Sequence, residues 1–128
     1  MKQFIIIIIS GLFLSACTQV PAGSGGGNPS NGQRIQAKVI RVTCASTVIQ
    51  ILDANYYSLG GSWTVEGTST TYEHVAVVAN KCEFPNNLTE GALFYFKQIT
   101  EAEASNDCAV CMMYDFPPSK SVFLKVVP

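Results

Sequence analysis

The sequence predicts the all-β fold class for one small domain. Apolar and polar residues alternate with a period of two in several short segments, which is typical of half-buried strands. Gly, Pro and Asn cluster between these segments, as they do in turns. Helical periodicity is confined to a short stretch at residues 101–105. These observations favour about five short strands over a helical or mixed domain.

The first predicted strand covers residues 35–44 and is irregular in its middle. Apolar residues alternate from Ile35 to Val39 and again from Ile40 to Cys44, but the apolar phase slips by one residue between the two halves. A slip of one residue turns every side chain to the opposite face of a sheet. We therefore predict a β-bulge near Val39 and Ile40 that bends this strand.

Four further strands complete the predicted domain, at residues 47–52, 73–79, 92–99 and 121–127. Five short strands with a bent first member favour a small five-stranded Greek-key barrel of the OB type. A small sandwich and an open meander are the alternatives that this pattern leaves open.

The N-terminal residues have the pattern of an export signal. Lys2 supplies a positive charge, and the apolar run of residues 4–14 is shorter than the roughly 20 residues that a membrane-spanning helix requires. The run ends in Leu14-Ser15-Ala16-Cys17, which resembles the lipobox of bacterial lipoproteins. The resemblance implies that residues 1–16 are a signal peptide and that Cys17 carries diacylglycerol and an N-acyl chain such as palmitate. An ordinary secretory signal and an uncleaved membrane anchor are the alternatives.

Residues 17–33 connect this lipidated cysteine to the domain at residues 34–128. They are rich in Gly, Ser, Pro and Asn, a composition that predicts a flexible linker. Thr18 stands where some lipoproteins carry the Asp that retains them in the inner membrane, and no acidic cluster follows it. By the same resemblance, we expect a lipid-anchored protein of the outer membrane that faces the periplasm.

The charge of the chain excludes one class of partner. Loss of Lys2 with the signal leaves seven Lys and Arg against nine Asp and Glu, a net charge of −2. No basic block is present, whereas nucleic-acid binding needs a positively charged surface. We therefore expect no nucleic-acid partner. A domain of roughly 95 residues is also small enough that disulfides would add usefully to its stability.

The domain also resembles the small OB-like lipoproteins of Bacteroidetes, many of which have no assigned activity. The resemblance rests on five segments, namely Val42-Thr43-Cys44, Thr47-Val48-Ile49-Gln50, Asn87-Leu88 before Gly91, Phe94-Tyr95-Phe96-Lys97 and Cys111-Met112. It implies an OB-like fold and a location in the cell envelope, and it supplies no catalytic residue.

Four cysteines remain once Cys17 is assigned to the lipid. An even number of cysteines in an oxidising compartment predicts disulfides, and four cysteines allow three pairings. In the predicted OB-like barrel, the loops after strands one and four lie on one face, which favours Cys44–Cys111 together with Cys82–Cys108. A local Cys108–Cys111 bridge with Cys44–Cys82 is the second choice.

Other chemistry at these cysteines is less well supported. Cys108-Ala109-Val110-Cys111 has the spacing of a redox pair, but such a pair is expected at a helix N-terminus after a strand. A zinc site needs paired cysteine clusters. Soft-metal binding by Cys111, Met112 and Met113 rests on two adjacent methionines, which packing explains more simply.

His74 is the only histidine and is interpreted as a solvent-facing strand residue. We therefore expect no metal, no catalytic residue and no cofactor besides the covalent lipid.

Residues 53–72 form the candidate ligand loop. Gly, Ser and Thr residues in this segment surround four aromatic side chains, Tyr56, Tyr57, Trp63 and Tyr72. Aromatic rings on a flexible polar loop can stack on sugars or anchor a protein partner. The alternative is that they fold back and pack over the barrel.

These features together predict a membrane-anchored, non-enzymatic binding or envelope-interaction protein, with an envelope protein or a glycan as its partner. One alternative is a thiol-redox or soft-metal function of Cys108 and Cys111. The other is carbohydrate binding through residues 53–72.

Overall fold

The computed structural model describes residues 33–105, 107–109 and 111–128. The predicted signal peptide, Cys17 and the linker up to residue 32 lie outside these residues. Seven strands are present in the described part of the chain, namely β1 (Ile35–Val42), β2 (Thr47–Ile51), β3 (Gly61–Thr64), β4 (Thr71–Val78), β5 (Leu93–Gln98), β6 (Ser121–Val122) and β7 (Leu124–Val127). Short 3₁₀ helices occur at Ala54–Leu59, Lys81–Glu83 and Glu101–Glu103. None of the helices in this part of the chain is long and apolar enough to cross a membrane.

The strands pair mainly in antiparallel fashion, in the order β3-β4-β2-β1-β5-β7. β6 lies off this path and pairs with β4 in parallel. Phe123 alone separates β6 from β7, so the last segment of the chain pairs first with β4 and then with β5. The prediction of an all-β domain is confirmed. The described residues form seven strands, whereas the sequence predicted five, because the last predicted strand is split at Phe123 and β3 was not predicted.

The predicted bulge in the first strand is confirmed. Val39 of β1 pairs with Ile49 of β2, but Arg41 pairs with Val48, so the register shifts between Val39 and Arg41. Ile40, the extra residue, packs against a different cluster of side chains from Val39. The phase slip in the sequence thus corresponds to a change of face along one strand.

The interpretation of residues 53–72 as a flexible loop is wrong, because this segment holds the first 3₁₀ helix and β3. Gly60 joins these two elements where the chain passes very close to β4. A Cβ atom added at Gly60 would lie 2.3 Å from the carbonyl carbon of His74, so only glycine fits there. The contact fixes the 3₁₀ helix and β3 against β4.

Two hydrophobic clusters lie on opposite faces of β2, because successive side chains of a strand alternate between faces. The larger, the main core, is built from every strand except β3 and includes Ile49, Phe96 and Leu124. The smaller, the second cluster, consists of Val48, Trp63 and Val75, together with the half-buried side chains of Ile40, Val65, Tyr72 and Val77.

Candidate functional site

The longest irregular segment of the domain lies between the last 3₁₀ helix and β6. Residues 104–120 contain no strand or helix at their described positions, and we call them the pinned loop. A segment of this length without regular structure is uncommon in a compact domain, and is usually a functional loop or a disordered one. The contacts of its described residues decide between these two cases.

Two disulfides hold the first half of the pinned loop. Cys111 is bonded to Cys44, which follows β1, and their Cα atoms are 5.5 Å apart. Cys108 is bonded to Cys82 in the 3₁₀ helix Lys81–Glu83, with Cα atoms 5.6 Å apart. These are the two bonds that the predicted barrel favoured. Because Cys108 and Cys111 belong to different disulfides, they do not form the local pair that the redox hypothesis requires.

Asp115 holds the second half of the pinned loop. Its carboxylate accepts hydrogen bonds from the hydroxyl groups of Thr43 (2.6 Å) and Ser46 (2.5 Å) and lies 3.4 Å from Nη2 of Arg41. The same guanidinium group donates a hydrogen bond of 2.6 Å to the main-chain carbonyl oxygen of Asp115. Asp115 is therefore fixed to the end of β1 and the turn that follows it.

The charge of Asp115 is balanced locally. Burial raises the pKa of Asp115, but the hydrogen bonds from Ser46 and Thr43 and the positive charges of Arg41 and Lys81 lower it more, so the pKa lies below its ordinary value. The pKa of Lys81 is also lowered, because its partial burial outweighs the attraction of Asp115. Asp115 is thus ionised at neutral pH, with two cations beside it.

Trp63 provides another attachment point for the pinned loop. Its indole Nε1 donates a hydrogen bond of 3.0 Å to the main-chain carbonyl oxygen of Phe116. The guanidinium group of Arg41 lies 4.7 Å from the centre of the indole ring, within cation–π distance. Trp63 itself is buried in the second cluster, so it connects the loop to the folded core.

The pinned loop nevertheless presents large apolar side chains to solvent. Met112 is 97% exposed, Met113 52%, Tyr114 77% and Phe116 45%. The rings of Tyr114 and Phe116 meet edge to face with their centroids 4.3 Å apart. We call these four residues the apolar tip. At about 200 Å² for each fully exposed large side chain, the tip exposes roughly 540 Å². The largest apolar patch on a typical monomer is roughly 300–600 Å² and is often functional.

The sequence interpretation of the methionines as packed residues is wrong, because Met112 and Met113 both face solvent. Residues 33–105, 107–109 and 111–128 contain no group of three or more His, Cys, Asp or Glu side chains that could hold a metal ion. A signal for the tip was present in the sequence. The apolar run from Met112 is followed by Pro117 and Pro118, and consecutive prolines disfavour both strand and helix.

The predicted ligand loop is used mainly for packing. Tyr56 belongs to the main core and Trp63 to the second cluster, each only 8% exposed. The ring of Tyr57 stacks on His74 with centroids 3.6 Å apart, and that of Tyr72 lies 6.3 Å from Trp63. His74 is half-buried in this stack, so its interpretation as a solvent-facing residue needs correction. The structure supports the packing alternative for residues 53–72.

A shallow cleft beside the disulfides is a weaker candidate for a binding site than the apolar tip. Its volume is about 230 Å³, below the roughly 300–1,000 Å³ of typical small-molecule sites. It is lined by Cys44, Lys81, Cys82, Asn86, Cys108 and Ala109. We therefore take the apolar tip as the candidate functional site.

Comparison of the chain with models of protein families, with curated proteins and with solved structures gives no match.

Proposed function

We propose that the protein is a lipid-anchored, non-enzymatic binding module of the cell envelope, and that the apolar tip is its binding surface. The proposal rests mainly on one observation, namely that this segment exposes its apolar side chains to solvent although its main chain is held in place. Tyr114 is 77% exposed, although it lies directly before Asp115 and three residues after the disulfide-bonded Cys111.

Fixation of the loop has an energetic consequence for binding. A flexible loop loses conformational entropy when it binds, whereas a loop already held in one shape loses much less. Large aromatic side chains are frequent hot spots of interfaces, and methionine adapts its shape to irregular surfaces. The tip offers both kinds of side chain from a backbone that disulfides and Asp115 hold in place.

The proposed anchor rests on the N-terminal sequence. The order of Lys2, the apolar run and Leu14-Ser15-Ala16-Cys17 supports export and lipidation at Cys17. Thr18 supports transfer to the outer membrane, with the domain facing the periplasm. The two disulfides of the domain are compatible with that oxidising compartment.

We further propose that the domain is a small OB-like barrel. β6 and β7 are successive parts of one chain segment, so they can be counted as one strand. The strand pairs then follow one another around the domain as β1–β2, β2–β4, β4–β6, β7–β5 and β5–β1, and this order supports a barrel. The resemblance to small OB-like lipoproteins of Bacteroidetes agrees with it.

The alternative functions have less support. A redox function would need Cys108 and Cys111 as one pair, and they lie in separate disulfides. Carbohydrate binding through residues 53–72 would need free ring faces, whereas Tyr56 and Trp63 are buried in the domain.

Photo-crosslinking in intact envelopes tests the binding surface. p-Benzoylphenylalanine is placed at position 114 of the full chain and, as a matched control, at position 95, since Tyr95 is an exposed tyrosine on β5. Benzophenone attacks C–H bonds of proteins and lipids alike. We expect defined crosslinked products from position 114 and few from position 95. Equal labelling at both positions contradicts the assignment of the tip.

Incorporation of labelled palmitate tests the anchor separately. We expect the wild-type chain to be labelled and Cys17→Ser to remain unlabelled. Labelling that persists in Cys17→Ser contradicts lipidation at this residue.

A further inference from the structure

We propose that the apolar tip inserts into the interfacial layer of the same bilayer that holds the lipid anchor, so that the domain contacts the membrane at two points. This inference rests on the proposed anchor at Cys17. The ligand of the apolar tip is then a lipid bilayer.

The four residues of the apolar tip include no Asp, Glu, Lys or Arg. Asp115 is the only charged residue between Cys111 and Lys120. Its carboxylate accepts a hydrogen bond from Thr43 and lies 3.4 Å from Nη2 of Arg41. A charged group at the tip would oppose entry into an apolar phase, and here that charge stays on the protein side, already neutralised.

The main chain of the tip also affects the cost of entry into an apolar layer. Unpaired N–H and C=O groups are costly in an apolar layer. The carbonyl oxygens of Asp115 and Phe116 are already bonded to Arg41 and Trp63. The following Pro117 has no N–H group. These two carbonyl groups on the C-terminal side of the tip therefore do not depend on water.

The shape of the tip favours a bilayer over a second copy of the chain. An exposure of 97% at Met112 means that this side chain projects from the surface. Two projecting tips of two copies would meet point to point and bury little area, which disfavours self-association through the tip. A projecting group of Met, Tyr and Phe suits a deformable apolar phase, and tyrosine is enriched at membrane interfaces.

The length of the predicted linker suits contact of the anchor and of the tip with one bilayer. β1 begins at Ile35, near the linker, and its far end leads into the turn that binds Asp115. At about 3.3 Å per residue, these ends are roughly 25 Å apart. A flexible chain of about 16 residues, such as the predicted linker of residues 18–33, has a root-mean-square length of roughly 20–24 Å. The effective concentration of a tethered group is greatest when the linker length matches the span.

Fluorescence quenching by lipids tests the proposal with the full lipidated chain in phosphatidylcholine vesicles. Tyr114→Trp places a reporter on the tip, and Tyr95→Trp makes the same substitution at an exposed position of β5. Trp63 is the only native tryptophan, so the unsubstituted chain gives the background to subtract. Vesicles with brominated acyl chains are compared with unbrominated ones, and flotation confirms that each chain is anchored.

We expect the brominated lipid to remove roughly half or more of the emission from the tryptophan introduced at position 114, and little of that at position 95. High salt should not change this result, because no charge drives the contact. In the Tyr114→Trp background, Met112→Ser should reduce the quenching. Leu93→Ser, which removes an apolar side chain that is 60% exposed on β5, should not.

Three outcomes overturn the proposal. If the chain floats with the vesicles but the reporter at position 114 is unquenched, the bilayer contact fails while the anchored binding module stands. If that reporter is unquenched in vesicles but shielded from aqueous quenchers in native envelopes, the occupant is an envelope protein or a glycan and not the bilayer. If the chain does not float, the proposed anchor fails, and the bilayer contact fails with it.

Discussion

At the scale of single residues, the contacts that hold the pinned loop converge on Asp115. Two hydroxyl groups and a guanidinium group bind its carboxylate, and a second cation, Lys81, lies nearby. Charge-assisted hydrogen bonds are roughly twice as strong as neutral ones. A change of this one charge therefore tests how firmly the loop is held.

Asp115→Asn keeps the size of the side chain and removes its charge. We expect the free energy of unfolding to fall by about 1–3 kcal/mol, because Arg41 and Lys81 lose their counter-ion. Denaturant unfolding at neutral pH measures this change. Asp107→Asn, which removes an exposed carboxylate from the same loop, should change it by less than about 0.5 kcal/mol. Equal losses in both variants contradict the role of Asp115.

The pH dependence of stability should show the same interaction. The pKa of Asp115 is lower in the folded chain than its ordinary value, so the folded state binds fewer protons than the unfolded state near that value. The stabilisation is therefore complete above the ordinary pKa of about 3.9 and is lost as the pH falls through the lower, folded pKa. The difference in unfolding free energy between wild type and Asp115→Asn should shrink below about pH 4. A constant difference down to acid pH contradicts this assignment.

Gly60 is a second residue on which the fold depends. Gly60→Ala forces a methyl group into the backbone of β4 at His74, and we expect a loss of about 1–3 kcal/mol in the free energy of unfolding. Gly61→Ala is the control, because its added Cβ would lie 3.3 Å from the flexible side chain of Lys120. Thermal unfolding of the two variants should show a clearly larger effect at position 60.

At the scale of elements, alternation in the sequence predicted the strands whose two faces differ in burial. The slip between Val39 and Ile40 located the bulge, because only a change of face explains it. β3 was not predicted, since its four residues include one buried side chain, Trp63, among small polar neighbours. The tryptophan is buried by contacts with Val48 and Val75 on other strands. Such contacts between distant segments cannot be inferred from the residues next to Trp63 in the sequence.

The two disulfides should differ in their effect on stability. Cys44–Cys111 closes a loop with a sequence separation of 67, and Cys82–Cys108 one of 26. In the chain-entropy model, they contribute about 4.4 and about 3.5 kcal/mol. We expect the double variant Cys44→Ser/Cys111→Ser to be less stable than Cys82→Ser/Cys108→Ser by roughly 1 kcal/mol in denaturant unfolding. The opposite order would mean that contacts within the loop, rather than loop closure, determine the loss.

At the scale of the whole molecule, one buried side chain links the segment after β4 to β7, two strands that are not neighbours in the sheet. Asn80 follows β4 and is 1% exposed. Its amide group donates to the carbonyl oxygen of Leu124 (2.7 Å) and its carbonyl oxygen accepts from the N–H of Leu124 (2.9 Å). It pairs with β7 as a neighbouring strand would. Partners 44 residues apart cannot be inferred from alternation in the sequence, which explains why neither Asn80 nor the partners of Asp115 were predicted.

Asn80→Ala should therefore weaken the attachment of the last strand. We expect a loss of about 2–4 kcal/mol in the free energy of unfolding, because two buried main-chain groups of Leu124 lose their partner. Asn87→Ala, at an exposed position in the connection before β5, should have an effect below about 0.5 kcal/mol. Hydrogen exchange at the Leu124 amide gives a local measure, and unchanged protection there would contradict the assignment.

Because covalent bonds and Asp115 set the course of the pinned loop, Met112, Met113 and Tyr114 contribute little to folding. Selection can therefore replace these three side chains while the framework around them stays constant. Chains of this fold could differ at these three adjacent codons. For the same reason, the segment between Cys111 and Asp115 is a natural place to graft a foreign recognition peptide onto this scaffold.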